Sequence, residues 1–534
     1  MAERPEGAEV ARLALGAAKR MSHGEQLARI ARKYPDRVGL ICRDEHRTYR
    51  ELDARVNRLA RALQARGVAA GDRLAVLMGN SLQTVETIFA GWRIGAILVP
   101  VNFRLVASEV HYILSNSGAS VIVTDAAFLS RVEEVRPDLP DLGRVIVVGA
   151  SPGAGAERFE ELLDETPEDP LVIDVDDQAA AIICYTSGTT GRPKGAVLTH
   201  FNLVMSTLNS MIEQQFEPPD EVWYVNMPLF HVGGLSGVLL YVMLGGTSVI
   251  APSGNFSAAS AVQDLERYGV TGCVFVGMQW DEVCDEIVAQ QPKLSLRRAS
   301  WGAANTPVHV LAKMSKALPG VPVYSFFGQT EMSPVTCALN GRDAERKMGS
   351  VGKPIVNVEA RIVDDDMNDV PVGAVGEIVY RGPTVMQGYW NMPQATDEAF
   401  EGGWFHSGDL CRMDEDGYIY VVDRKKDMII SGGENIYCPE VEAVLMQHPG
   451  IAQASVIGVP HPRWGETPRA IVVPADPARP PTQDDVAAWC QSRLASYKKP
   501  TSIVIVEDLP RNATGKVVKP ALRERFGHEL VGSN

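Results

Sequence analysis

The sequence is short of positive charge and has no closely paired cysteines. Lysine and arginine number 51 against 66 aspartates and glutamates, and a formal charge of −15 over 534 residues argues against nucleic acid and anionic membranes as partners. None of the eight cysteines lies in a Cys-x-x-Cys pair, which removes the common zinc and redox motifs. Cysteines scattered through a long chain are typical of a reducing environment, so we expect the cytoplasm.

Recognisable membrane and targeting segments are also lacking. The uncharged stretch 233–252 contains five glycines and a break at 245–246, which predicts a buried helix followed by a strand, not a transmembrane segment. Acidic residues near the start argue against a signal or transit peptide. The length and the hydrophobic content of 45% predict a soluble protein of two or more domains.

Helix-like and strand-like segments take turns along the chain. The helical periods lie at 52–63, 82–92 and 109–115, and the strand-like runs at 72–78, 96–100 and 121–124. Such alternation predicts an α/β fold of parallel sheets covered by helices, with a β-rich subdomain opening near 373–378. A smaller α/β pattern follows, with helices predicted at 441–447 and 486–493 and strands at 454–458 and 502–505.

The segment 185–195 follows a predicted buried strand and suits a polyphosphate. Glycines let backbone N–H groups approach a ligand, hydroxyls donate to phosphate oxygens, and a lysine adds a point charge. The spacing does not match the P-loop pattern, and a solvated flexible turn is the alternative interpretation. The predicted phosphate ligands are Thr186, Ser187, Gly188, Thr189, Thr190, Gly191 and Lys194.

This segment resembles the signature loop of the adenylate-forming enzymes, which include acyl-CoA synthetases, luciferases and the adenylation domains of peptide synthetases. The stretch 326–331 is similar to the Tyr-Gly-x-Thr-Glu motif of that family, and further similar motifs occur at 404–410, 421–427, 431–436 and 509–517. The resemblance implies a large N-terminal domain over 1–425 and a small mobile C-terminal domain over 426–534, with the hinge at Lys426.

The resemblance also implies residues for the nucleotide. Thr330 would contact the α-phosphate, Glu331 would hold Mg²⁺, and Lys516 would be the catalytic lysine. Phe327 stands where the family usually has tyrosine and would stack on adenine. The remaining contacts implied are Gly302, Ala303, Ala304, Gly328, Asp409 and Arg424. Other interpretations of these positions are a helix N-cap, a turn aspartate and an exposed lysine.

For the acid and the thiol, the resemblance implies a second group of residues. His231 would gate the route of the thiol, although a lone histidine in apolar sequence is more often packed in a core. The acyl pocket and the CoA tunnel would be formed by Gly233, Gly234, Val276, Gly277, Trp280, Gly432 and Gly433. The turn at 277–280 departs from the family pattern, which indicates either an unusual pocket or simply a different turn with a packed tryptophan.

The leading hypothesis is an AMP-forming acid–CoA ligase for a hydrophobic acid, fatty or bulky, with ATP, Mg²⁺ and CoA. One alternative is transfer to a separate acyl-carrier protein. Another is an enzyme that uses acyl-adenylate but forms it weakly, and a third is a nucleotide-sensing protein without turnover. A homodimer is left open.

Overall fold

The computed structural model describes residues 7–149, 155–186, 193–214, 216, 218–254, 256–302, 306, 308–432, 434–491, 493–511 and 516–528, with side chains from residue 12 onward. Contacts divide the chain into two compact units: 1–359 with 380–405, and 360–379 with 406–534. Within the described ranges, no helix has both the length and the apolar character needed to cross a bilayer.

The strands are numbered in chain order. They are β1 (Val38–Cys42), β2 (Glu45–Thr48), β3 (Arg73–Leu77), β4 (Ile97–Pro100), β5 (Val121–Asp125), β6 (Arg144–Val148), β7 (Glu157–Arg158), β8 (Ala180–Thr186), β9 (Lys194–Thr199), β10 (Val222–Val225), β11 (Thr247–Ile250), β12 (Gly272–Phe275), β13 (Arg298–Gly302), β14 (Val323–Gly328), β15 (Val335–Leu339), β16 (Lys353–Pro354), β17 (Glu359–Val363), β18 (Gly376–Arg381), β19 (Gly388–Tyr389), β20 (Phe405–Met413), β21 (Ile419–Arg424), β22 (Ile429–Ser431), β23 (Glu434–Ile436), β24 (Ile451–His461), β25 (Gly465–Pro474) and β26 (Ser502–Ile505).

The α-helices are numbered in the same way. They are α1 (Gly7–Lys19), α2 (His23–Lys33), α3 (Tyr49–Ala65), α4 (Leu82–Arg93), α5 (Ala107–Ser117), α6 (Leu129–Val135), α7 (Phe159–Asp164), α8 (His200–Glu213), α9 (Val232–Leu244), α10 (Ala258–Arg267), α11 (Gly277–Gln290), α12 (Val308–Ala317), α13 (Pro393–Ala399), α14 (Cys438–Leu445), α15 (Gln483–Gln491) and α16 (Lys519–Phe526).

Two large sheets form the first unit. One has the order β16-β15-β14-β13-β12-β10-β11-β1-β2 and the other β19-β9-β8-β4-β3-β5-β6-β7. Their central strands are parallel, as β12 with β13 and β3 with β4, while β8 with β9 and β14 with β15 are antiparallel. The predicted parallel sheets covered by helices are therefore confirmed, and the helix and strand expected in 233–252 are α9 and β11.

Two smaller sheets follow. One has the order β17-β18-β20-β21, and the other has the order β23-β22-β25-β24, with β26 pairing with β25. The second compact unit takes in both the residues 406–425 and the C-terminal sheet. Lys426 follows β21 inside this unit, so the hinge and the division at 425/426 stay predictions.

Local sequence explains several element ends. Thr48 caps α3 by accepting the N–H of Glu51, and the Glu51 carboxylate accepts the N–H of Thr48 in return. Helix α9 ends at Gly245, whose φ of 73° is a left-handed conformation that glycine adopts without strain. These two signals are readable from sequence because they depend only on residues within one turn.

Candidate active site

The predicted phosphate loop is carried by a β-hairpin. Thr186 ends β8, Lys194 begins β9, and the two residues are cross-strand partners. The residues between them that were predicted to contact phosphate, Ser187, Gly188, Thr189, Thr190 and Gly191, lie outside the described residues. The hairpin thus holds the two ends of the loop in one place.

A buried carboxylate adjoins this hairpin. Glu331 is 7% exposed and lies in a single 3-10 turn, Thr330–Met332. Its Oε1 accepts a hydrogen bond from Thr186 Oγ1 at 3.2 Å. Thr330 is half-buried in the same turn, and the N-cap position belongs to Gln329, which makes no side-chain cap. The alternative of Thr330 as a helix N-cap is therefore wrong.

Tyr389, to which the sequence assigned no role, contacts two of the predicted site residues. Its hydroxyl donates to Glu331 Oε1 at 3.1 Å, and the Lys194 ammonium lies 4.9 Å from the centre of its ring. Burial, and then the negative charge of Glu331, raise the pKa of the Tyr389 hydroxyl. Tyr389 reaches this position because β19 pairs with β9, a contact between segments almost 200 residues apart that no local pattern reveals.

The residues predicted to lie near adenine end two neighbouring strands. Gly302 is buried at the end of β13, which is parallel to β14, and Phe327 is half-buried in β14. Gly328 has a φ of 155°, and a Cβ there would lie 2.0 Å from Pro334 O, so only glycine fits. Ala303 and Ala304 lie outside the described residues.

A narrow cavity, too tight to hold a water molecule, lies where the acyl pocket was predicted. Its lining includes the predicted Gly233 and Gly234 at the start of α9. The other lining residues are Trp223, Tyr224, Val225, Asn226, Met227 and Val274. A Cβ on Gly234 would lie 2.3 Å from Pro228 O, whereas a Cβ on Gly233 would meet only Met227 Cε, at 3.6 Å.

The other predicted pocket residues have different environments in the structure. His231 precedes α9, is half-buried, and has its ring centre 5.3 Å from that of Phe230, so it is not a buried core residue. Val276 and Gly277 lie where α11 begins. Trp280 is completely buried within α11, and its indole N–H donates to Ser300 O at 2.8 Å. The prediction that Trp280 lines a pocket is wrong, because the segment is a helix start and the indole fills the core.

In the second unit, a charged group forms around Asp409. Asp409 and Arg424 are cross-strand partners in β20 and β21, and Arg424 Nε lies 2.5 Å from Asp409 Oδ1. Lys516 is exposed as a residue, yet loss of water around its ammonium, and then the charge of Arg424, lower its pKa, whereas Asp409 opposes this shift. The unit therefore brings three predicted nucleotide residues into electrostatic contact.

The predicted hinge and tunnel residues are also in the second unit. Lys426 O accepts a hydrogen bond from the Arg523 guanidinium at 3.5 Å, and that guanidinium lies 2.8 Å from Asp427 Oδ1. Gly432 has a φ of 60°, and its N–H donates to Trp464 O at 2.7 Å. Gly433 lies outside the described residues.

Known proteins with the same sequence pattern are CoA ligases. Residues 27–390 match the AMP-binding enzyme family, and residues 440–516 match the AMP-binding enzyme C-terminal domain. A feruloyl-CoA synthase of an Amycolatopsis species is 40% identical over 481 residues, which cover 90% of this chain and 94% of that protein. An indoleacetate–CoA ligase of Aromatoleum aromaticum is 36% identical over 509 residues, which cover 94% and 98%.

A solved structure agrees with these relatives. The crystal structure of an anthranilate CoA ligase in complex with anthranoyl-AMP has a TM-score of 0.86 and 26% identity, and the match covers 95% of this chain and 97% of that one. The predicted α/β fold, the adenylate-forming family and the acid–CoA ligase activity are thus confirmed. This chain belongs to the AMP-binding enzyme family.

Proposed function

We propose that this ATP-dependent CoA ligase acts on an aromatic carboxylic acid. The observation that carries the aromatic assignment is the narrowness of the cavity, whose lining residues include Gly233, Gly234 and Trp223. A narrow space suits a planar ring better than a flexible chain. The acids in the names of the three relatives, ferulate, indoleacetate and anthranilate, support the same choice.

In the first step, a carboxylate oxygen of the acid attacks the α-phosphorus of ATP. The bond from that phosphorus to the bridging oxygen breaks, pyrophosphate leaves, and an acyl-adenylate is formed. Two anions must meet, so the protein mainly has to position groups and neutralise charge. We assign this to Lys516 for the α-phosphate and the entering carboxylate, to Thr330 for an α-phosphate oxygen, and to Lys194 with its loop for the β- and γ-phosphates.

Glu331 is the residue that would hold Mg²⁺. A carboxylate is the hard oxygen ligand that this ion takes, together with substrate phosphates. The hydroxyls of Thr186 and Tyr389 hold one carboxylate oxygen in place without cancelling its charge, which fits a cation ligand. When bound, Mg²⁺ would neutralise phosphate charge. Asp409 and Arg424 are assigned to the ribose.

In the second step, the CoA thiol attacks the acyl carbonyl, AMP leaves, and the thioester is released. The proposed rotation about Lys426 would take Lys516 away and bring Gly432 to the thiol path. Lys426→Pro should therefore slow thioester formation from supplied acyl-adenylate more than it slows ATP–pyrophosphate exchange. Loss of exchange with an unchanged thiol step would contradict the hinge.

The test of the substrate class is a panel of acids in a pyrophosphate-release assay. Aryl acids should give higher kcat/KM than straight-chain acids of similar carbon number, and a preference for fatty acids would refute the proposal. Gly233→Leu places a large side chain at the narrow cavity, where the Cβ itself has one ordinary contact, and should lower kcat/KM for ring acids by roughly tenfold or more. Gly254→Leu is the control, because a Cβ there has no neighbour within 4 Å.

The acceptor and the setting are part of the proposal. CoA is the proposed acceptor, and faster turnover with a phosphopantetheine-bearing carrier protein would favour the alternative. The proposed location is the cytoplasm, where its eight free cysteines would stay reduced. Sedimentation would distinguish a monomer from a homodimer.

A further inference from the structure

Asn226 follows β10 and lines the acyl cavity. Its amide nitrogen donates to Gln279 Oε1 at 3.3 Å, and Gln279 lies in the first turn of α11. The stretch 277–280, including Gln279, departs from the family pattern in sequence. One of its unusual residues is therefore the hydrogen-bond partner of a cavity-lining amide.

The orientation of the two amides follows from a backbone donor. The N–H of Val276 donates to Gln279 Oε1 at 3.4 Å, and a backbone N–H can only donate. The Gln279 atom that faces it must be oxygen, so the Asn226 atom that faces the same oxygen must be the NH₂ group. The carbonyl oxygen of Asn226 is consequently turned away from Gln279.

That carbonyl oxygen is an unused acceptor. Asn226 Oδ1 is buried, and no described residue donates a hydrogen bond to it. A buried acceptor without a donor is costly, and buried polar atoms in native proteins are nearly always satisfied. Asn226 lines the narrow cavity assigned to the acid, so an acid that widens this cavity on binding is the partner that would supply the missing donor.

We propose that Asn226 is a specificity residue that selects aryl acids whose ring carries an O–H or N–H donor, such as a phenol or an indole. Gln279 is a positioning residue, because it holds the Asn226 amide with its oxygen available. This inference rests on the proposed aromatic substrate. It adds a requirement beyond shape, since a ring without a donor can have nearly the same outline as a ring with one.

The first test compares matched acids with the unmodified enzyme. 4-Hydroxycinnamic acid has the donor, cinnamic acid lacks it, and 4-methoxycinnamic acid keeps the oxygen without the hydrogen. Indole-3-acetic acid and its N-methyl derivative form a second matched set. In at least one set, kcat/KM should be higher for the donor-bearing acid by about tenfold or more. The donor-free acids of the set would leave the buried Asn226 Oδ1 without a hydrogen bond.

The second test changes the protein. Asn226→Leu removes the acceptor at similar volume, so the preference should fall to about one, chiefly because activity on the donor-free acid is kept or rises. Gln279→Leu should weaken the preference by releasing the amide, whereas Gln279→Glu keeps an acceptor for Val276 N–H and for the Asn226 NH₂ and should retain it. Asn226→Ser is a smaller replacement if the leucine variant does not fold.

The outcomes separate this inference from the proposed function. If the enzyme activates no aryl acid of either kind, the aromatic assignment itself is wrong. If it activates donor-bearing and donor-free acids equally in both sets, or if Asn226→Leu leaves the preference unchanged, the assignment of Asn226 is overturned while the aromatic substrate stands.

Discussion

The two compact units each hold one buried acid among the predicted site residues, and they pair it in opposite ways. Glu331 in the first unit is 7% exposed and accepts from two neutral hydroxyls, Thr186 and Tyr389. Asp409 in the second unit is 2% exposed and lies against the guanidinium of Arg424. The hydroxyl partners of the first acid carry no charge, which suits the proposed cation ligand, whereas the guanidinium beside the second acid opposes its charge. The neighbouring groups, and not the carboxylates themselves, therefore distinguish the roles proposed for Glu331 and Asp409.

The two pairs are also built differently. Asp409 and Arg424 face each other across adjacent antiparallel strands, so the register of β20 and β21 alone creates the ion pair. Glu331 needs three segments that are far apart in sequence: the end of β8 at Thr186, the 3-10 turn that contains Glu331 itself, and β19 with Tyr389. The first unit thus depends on long-range packing for its acid, whereas the second depends on one hairpin.

The largest effect is expected from a substitution in the charged group of the second unit. Lys516→Ala should lower acyl-adenylate formation by roughly 10³-fold, because a preorganised charge next to the reacting phosphate is lost. Thioester formation from supplied acyl-adenylate should be nearly unchanged. Lys498→Ala is the control, since that lysine pairs with Glu440. Equal loss in both half-reactions would contradict the division of labour.

The next test exchanges each acid for its amide. Glu331→Gln should reduce kcat for adenylation by about 100-fold and shift its Mg²⁺ dependence to higher concentration, because the charged ligand is gone. Asp409→Asn should mainly raise the KM for ATP, by about tenfold, through loss of a charge-assisted contact. Steady-state kinetics over a Mg²⁺ series measures both. If the two variants had the same Mg²⁺ response, the comparison would fail.

A smaller effect is expected at Tyr389, one of the residues that the sequence did not reveal. Tyr389→Phe removes one donor to Glu331 and keeps the ring beside Lys194, so kcat/KM for ATP should fall by about 3- to 10-fold. Tyr268→Phe serves as the control, because its hydroxyl bonds the exposed Arg43 O. Unchanged kinetics in Tyr389→Phe would show that Thr186 alone holds the carboxylate.

The smallest effect concerns the folding stability of the first unit at low pH. His23 and His200 are buried there with ring centres 6.1 Å apart, and burial lowers the pKa of both, that of His200 to about 4. Stability from the neutral rings is complete above an unfolded pKa of about 6.5 and is lost as pH falls toward the folded value, by about 1.4 kcal/mol per pH unit for each ring.

Chemical denaturation at pH 7, 6 and 5 measures this decline. His200→Phe keeps an aromatic ring but cannot be protonated, so its free energy of unfolding should depend on pH less steeply, by about one proton. An identical pH dependence in the variant and the parent would show that His200 does not cause the decline.

Much of the fold could be predicted because its signals are local. The helices α3, α4 and α9 and the strands β3 to β5 follow from apolar spacing, caps and glycine ends. The start of α11 could not be predicted, because the sequence around Gly277 and Trp280 is typical of a turn. The helix is recognisable only from the tertiary contact in which the Trp280 indole N–H donates to Ser300 O in the core. Tyr389 and Asn226 were missed for a related reason. The position of Tyr389 depends on the pairing of β19 with β9, and that of Asn226 on its hydrogen bond to Gln279, and neither contact is visible in the local sequence.

The buried cysteines have a consequence for the chemistry. Seven of the eight are buried, and desolvation raises the pKa of Cys184, and likewise that of Cys438, to about 12. Thiols with such pKa values are almost entirely protonated at neutral pH and are poor nucleophiles. A mixed anhydride is an acylating agent, so these side chains offer little competition to CoA for the acyl group, and self-acylation should be rare during turnover.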